Sequence, residues 1–194
     1  MPILGRGGFL RGRSFGSDPS LVARLAATFI RTLQAGGVAA TAKHFPGLGA
    51  ARQNTDARVV SVRQTQLGPF QSAINAGAKL VMVSSAAYPK LDPSGTPAVF
   101  SHPIVSDLLR GQLGFRGVVV SDALDAPAAA RTPHAPVRAL AAGVDLLLYT
   151  SGSTAHRGYE ELAAAAQRSE ATRAELARAI AHIRALKSWL GRTC

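Results

Sequence analysis

Four short apolar runs, separated by stretches with helical spacing, constrain this 194-residue chain more than any other feature. They are Val38-Ala39-Ala40-Thr41-Ala42, residues 79–84 (Lys79-Leu80-Val81-Met82-Val83-Ser84), residues 117–122 (ending Val120-Ser121-Asp122) and residues 144–149. A strand that is apolar almost throughout is buried on both faces, which is the pattern of parallel sheets. Helices alternating with such strands cover the sheet, so the expected class is α/β.

The intervening segments carry their own start and stop signals. Asp18-Pro19 reads as an N-cap with proline at the first helical position. Leu21, Val22, Leu25, Phe29 and Leu33 then recur at helical spacing until Gly36-Gly37 ends the run. Residues 46–58 read as a long polar loop. Helices are expected over 62–76, 102–113 and 133–142, and in a tail over 155–190 broken near Ser169. No internal repeat or low-complexity linker divides the chain, so 1–194 is read as one domain.

Composition narrows the function classes. The single cysteine, Cys194, can build neither a disulfide framework nor a cysteine zinc site. No apolar run approaches the ~20 residues that span a bilayer. Residues 1–16 hold Arg6, Arg11 and Arg13 among glycines with no apolar core, unlike a signal peptide, and the compartment stays open. Twenty-two basic against 11 acidic residues leave a net charge of +11. These charges are scattered and no run interleaves them with aromatics, so no nucleic-acid partner is expected.

The polar residues at strand ends hold the candidate chemistry. Lys43-His44-Phe45-Pro46-Gly47-Leu48-Gly49 follows the first run, with Ser84-Ser85, Ser121-Asp122 and Thr150-Ser151 after the others. Barrel enzymes keep their reactive groups at the carboxyl ends of parallel strands. Asp122 can act there as nucleophile or electrostatic stabiliser, or as an N-cap. His44 reads either as a site residue or as a core histidine bonded to backbone. A lysine beside it weighs against the core reading. Asp56 is a loop carboxylate, and Arg13 a glycine-flanked arginine ahead of the first helix.

These residues also carry a resemblance. Lys-His-Phe-Pro-Gly-x-Gly at 43–49 resembles the signature of the N-terminal domain of family 3 glycoside hydrolases, in the bacterial β-N-acetylhexosaminidase branch. Gly12-Arg13-Ser14-Phe15-Gly16, Val81–Pro89 and Leu108–Leu124 are similar to further segments of that family, in order and spacing. The resemblance implies a (β/α)8 barrel, here partial and lacking its first strands. It implies that Asp122 is the nucleophile of a retaining mechanism and that Arg13, Lys43 and His44 bind the sugar. A hydrolysis run by two carboxylates needs no cofactor.

The family's Asp-x-His motif, whose histidine is the acid/base, corresponds here to Asp56-Ala57-Arg58. Arginine stays protonated and is no proton donor. Asp56, or a later residue such as His134, is left as the candidate acid. The family's methionine after the nucleophile is Ala126. Two functions are therefore open. One is a glycosidase releasing N-acetylglucosamine from cell-wall muropeptides or chitin-like glycans. The other is an impaired relative that binds sugar. An unclosed sheet is expected to leave two open edges, making the chain an incomplete folding unit prone to self-association.

Overall fold

A computed structural model describes residues 10–191. The readings made on residues 1–9 and on Cys194 lie outside the described residues. Three strands, β1 (Thr41–Phe45), β2 (Leu80–Val83) and β3 (Val118–Ser121), form a parallel sheet in the order β1-β2-β3. Helices lie between successive strands, as the alternation requires.

The first helix, α1 (Pro19–Ala35), begins where expected. Asp18 accepts a hydrogen bond from Ser20 N–H at 2.9 Å, Pro19 opens the first turn, and the chain leaves at Gly36. Gln34, near the end of α1, donates to the Gly77 carbonyl (2.9 Å) and accepts from Lys79 N–H (3.0 Å), which fixes where β2 starts.

Several boundaries differ from those expected. β1 begins at Thr41 rather than Val38. Lys43 and His44 are therefore inside the strand instead of beyond it. The second helix, α2 (Gly68–Asn75), is half the expected length. Pro69 has no N–H to donate and suits a first turn, so the helix starts there. Upstream, Val62 N–H bonds the Ala87 carbonyl instead. Residues 103–112 are helical as expected, wound as a π-helix. The segment read as a helix over 133–142 is helical over Ala135–Ala142, and a short extra turn precedes it at Pro127–Ala130. The tail forms two helices, Gly152–Arg168 and Glu170–Trp189. Ser169 caps the second by accepting from Thr172 N–H.

The expected fourth strand does not form a ladder. Residues 144–149 run beside β3, with one parallel bridge, Val120 to Leu146. Leu148 N–H bonds the Ser121 hydroxyl rather than a carbonyl, which interrupts regular pairing. Leu146 and Leu148 remain 42% and 39% exposed.

The main core joins Phe45, Val81, Val83 and Val119 of the strands to Phe70, Ile104, Val105 and Leu109 of the helices. Phe45 and Phe70 meet edge to face at 5.2 Å. At the amino-terminal end of β3, a carboxylate with no exposed surface, Asp145, gathers Arg110, Arg178, His182 and Val119 N–H. No helix among the described residues is long and apolar enough to cross a membrane.

Candidate active site

Successive residues of a regular strand point to opposite faces, so Lys43 and His44 would ordinarily be separated. The β1–β2 register shifts between Lys43 and Phe45: Lys43 pairs with Met82 and Phe45 with Val83, leaving His44 as the extra residue. A bulge of this kind redirects a side chain. Lys43 stays exposed while His44 is buried, 8% exposed. The following Pro46–Gly49 turn is buried as well, not a solvated loop.

Two positions across the sheet, β3 delivers Asp122. Its backbone N–H bonds the Val83 carbonyl, continuing the ladder one residue past the strand, and its Oδ1 accepts from Ala123 N–H at 3.0 Å. Oδ2 lies 3.8 Å from His44 Nε2. Asp56 sits in a turn of the 46–58 loop, where its N–H bonds Asn54 Oδ1. The Asp56 carbonyl accepts from Ala128 N–H, anchoring that loop to the segment after Asp122.

The electrostatics tie five residues into one group. Burial raises the Asp122 carboxyl above its ordinary range, against the Ala123 N–H, Lys43 and Arg13. Asp56 is exposed as a residue, yet its carboxyl is also raised, by partial burial first and then by the negative charge of Asp122. His44 is pushed down to about 4 by burial, then by Lys43 and Arg13, with Asp56 opposing. The imidazole is therefore neutral near pH 7, and its contact with Asp122 is not an ion pair. Arg13, Lys43, His44, Asp56 and Asp122 thus act on one another from four separate parts of the chain.

Other polar residues at strand ends do different work. Thr150 and Ser151, with Thr154, bind Asp125 and start the helix at Gly152. The Ser121 hydroxyl is taken by Leu148 and that of Ser84 accepts from Ala86 N–H. Ser85 is buried at the carboxyl end of β2, its hydroxyl without a hydrogen-bond partner among the described residues. His134 is exposed and pairs with Glu161 at 2.6 Å. It is not among the groups that shift His44, Asp56 or Asp122, and neither is Arg58. The Ala123 N–H on Asp122 and the bulge at His44 were invisible in sequence, since both are backbone features.

A pocket of about 180 Å³ between α1, β1 and α2 shares Arg13 and Lys43 with this group. Its other walls include Phe15, Phe29 and Phe70. It contains none of His44, Asp56 and Asp122, so it adjoins the candidate chemistry without enclosing it.

Comparison with known proteins identifies the family. Residues 5–186 match the family described as Glycosyl hydrolase family 3 N terminal domain. The chain belongs to that family. A Beta-hexosaminidase from Stenotrophomonas maltophilia is 42% identical over 156 residues, covering 75% of this chain and 46% of the relative. Among solved structures, a Beta-N-acetylhexosaminidase from Beutenbergia cavernae superposes with TM-score 0.86 at 39% identity, over 91% of this chain and 55% of that one. A family 3 beta-N-acetylglucosaminidase from Paenibacillus gives 0.89 at 32%, over 95% and 37%. The chain spans about half the length of the curated relatives it matches.

Proposed function

We propose that this family 3 chain is a retaining glycosidase that releases N-acetylglucosamine from cell-wall or chitin-like glycans. The observation that carries the reading is the Asp122 carboxylate at the end of β3, facing His44, Lys43 and Arg13 and coupled to the second carboxyl at Asp56. The names of the relatives support the sugar class.

In the first step, an Asp122 oxygen attacks the anomeric carbon. The glycosidic C–O bond breaks, and the departing oxygen takes a proton from Asp56. Partial burial and then the negative charge of Asp122 favour the protonated form of Asp56, which suits it to this role. In the second step, Asp56 takes a proton from water. The water oxygen attacks the anomeric carbon and Asp122 departs as carboxylate. Arg13 and Lys43 supply hydrogen-bond donors to sugar hydroxyls and the N-acetyl region, with neutral His44 beside them, and hold the ring through its oxocarbenium-like state.

The fold is proposed to be part of an eight-stranded parallel barrel in a single domain. A second reading, a sugar-binding relative with impaired chemistry, draws on the exposure of Asp56 and on Arg58 in place of a proton donor.

Aryl N-acetylglucosaminides with good and poor leaving groups test the proposal. Asp122→Asn should abolish turnover of both. Asp56→Asn should slow the poor leaving group by roughly 100-fold or more, general acid catalysis typically contributing that much, and spare the activated one. Sugar binding with no Asp122-dependent turnover of either substrate would establish the binding-only reading.

A further inference from the structure

We infer that His44 is a positioning residue for the nucleophile: its Nε2–H is aimed at Oδ2 of Asp122 and holds the carboxylate in its attacking orientation. This rests on the reading of Asp122 as nucleophile, and it assigns the single N–H of the neutral ring to Asp122 in place of a donated sugar contact.

The two oxygens of Asp122 are held differently. Oδ1 already accepts the Ala123 N–H at 3.0 Å. Oδ2 lies 3.8 Å from His44 Nε2, about 0.8 Å beyond ordinary hydrogen-bond length, and the proposed bond forms when the two side chains close that gap. The imidazole is set by the bulge in β1, and its side chain is 11% exposed. Its other nitrogen, Nδ1, is buried with no hydrogen-bond partner among the described residues.

Those facts select a tautomer. A neutral imidazole has one N–H and one bare nitrogen. A bare Nε2 would aim its lone pair at a carboxylate oxygen, which is repulsive. The proton therefore belongs on Nε2, and the bare nitrogen is the enclosed Nδ1. The charged groups acting on the ring are Lys43 beside it on β1, Arg13 from the turn before α1, Asp56 from the 46–58 loop and Asp122 from the end of β3. Burial and the two cations keep the ring neutral. A neutral donor orients the carboxylate without neutralising the charge that attacks the sugar.

The test follows trapping of the glycosyl-enzyme with an aryl 5-fluoro-N-acetylglucosaminide, read by intact mass, across pH. Labelling of the wild type, absent in Asp122→Asn, is the requirement of the functional reading itself. Given that labelling, His44→Leu should lower the saturating trapping rate roughly 10- to 100-fold, the worth of one charge-assisted hydrogen bond. It should also move the acid limb to higher pH, because a donor to the carboxylate is lost. His44→Gln, which keeps an N–H at similar reach, should recover part of both. A His44→Leu variant with the wild-type saturating rate and acid limb, and only a raised half-saturation concentration, would reduce His44 to sugar binding. Because a leucine at this buried site can disturb folding, ¹⁵N NMR of the unmutated histidine supplies a second reading. Nε2–H is expected, and an Nδ1–H tautomer would overturn the inference.

Discussion

Asp145 offers the sharpest test of how the helices are fastened to the sheet. Its carboxylate has no exposed surface and accepts four donors. Arg178 Nη1 (2.8 Å) and His182 Nδ1 (3.0 Å) meet Oδ1, while Val119 N–H (2.8 Å) and Arg110 Nη2 meet Oδ2. One side chain thus joins the helix at 103–112, β3 and the final helix. Asp145→Ala removes it. Arg178 and His182 are 29% and 25% exposed and can turn to water, whereas Arg110 is only 12% exposed and keeps backbone carbonyls but no counter-charge. Removing one partner of a buried pair costs about 3–5 kcal/mol, so a loss in that range is expected, most of it from Arg110. Urea unfolding followed by far-UV circular dichroism and Trp189 fluorescence would measure it, with the two probes required to coincide. Replacing both partners, Asp145→Leu with Arg110→Met, should recover most of the loss, since an apolar pair carries no desolvation penalty. A loss below about 1 kcal/mol for Asp145→Ala, or costs of Asp145 and Arg110 substitutions that simply add, would refute the reasoning. Turnover of an activated substrate should survive in the folded fraction, because Asp145 sits at the opposite end of β3 from Asp122.

Two other outcomes follow from the same structure. His44 has a folded pKa of about 4 against an ordinary 6.5, so its contribution to stability is fully present above pH 6.5 and is lost as pH falls toward 4. The full effect is about 3 kcal/mol, and the wild-type minus His44→Gln difference in urea stability across that window should show it. Asp122 and Asp56, both raised, work in the opposite direction, contributing stability at low pH that fades as pH rises through their folded values, which is why the difference is the informative quantity. The chain should also self-associate with concentration, because Phe29, Leu146 and Leu148 are 55%, 42% and 39% exposed beside strand edges left unpaired among the described residues. A strictly monomeric light-scattering mass at all concentrations would contradict this.

The amino-acid sequence by itself determined the alternation of helices and parallel strands, because unbroken apolar runs between helical segments have few other ways to be buried. It also marked Asp122 and the Lys43-His44 pair as polar groups at strand ends, and it capped α1 through Asp18 and Pro19. The start of α2 was legible only in Gly68-Pro69, where the helical periodicity from Val62 overrode it. What only the tertiary structure decided is the grouping. The bulge at His44 arises from the register of β1 against β2, a long-range pairing with no local signature. The same holds for residues 144–149, whose apolar run reads as a strand while a side-chain bond from Ser121 breaks its ladder. Thr150 and Ser151 looked like further site chemistry, and their bonds to Asp125 turned them into the start of a helix. Local sequence encodes propensity and burial, whereas the separation of charges across strands depends on register. The shifts of His44, Asp56 and Asp122 follow from burial first and from that separation second.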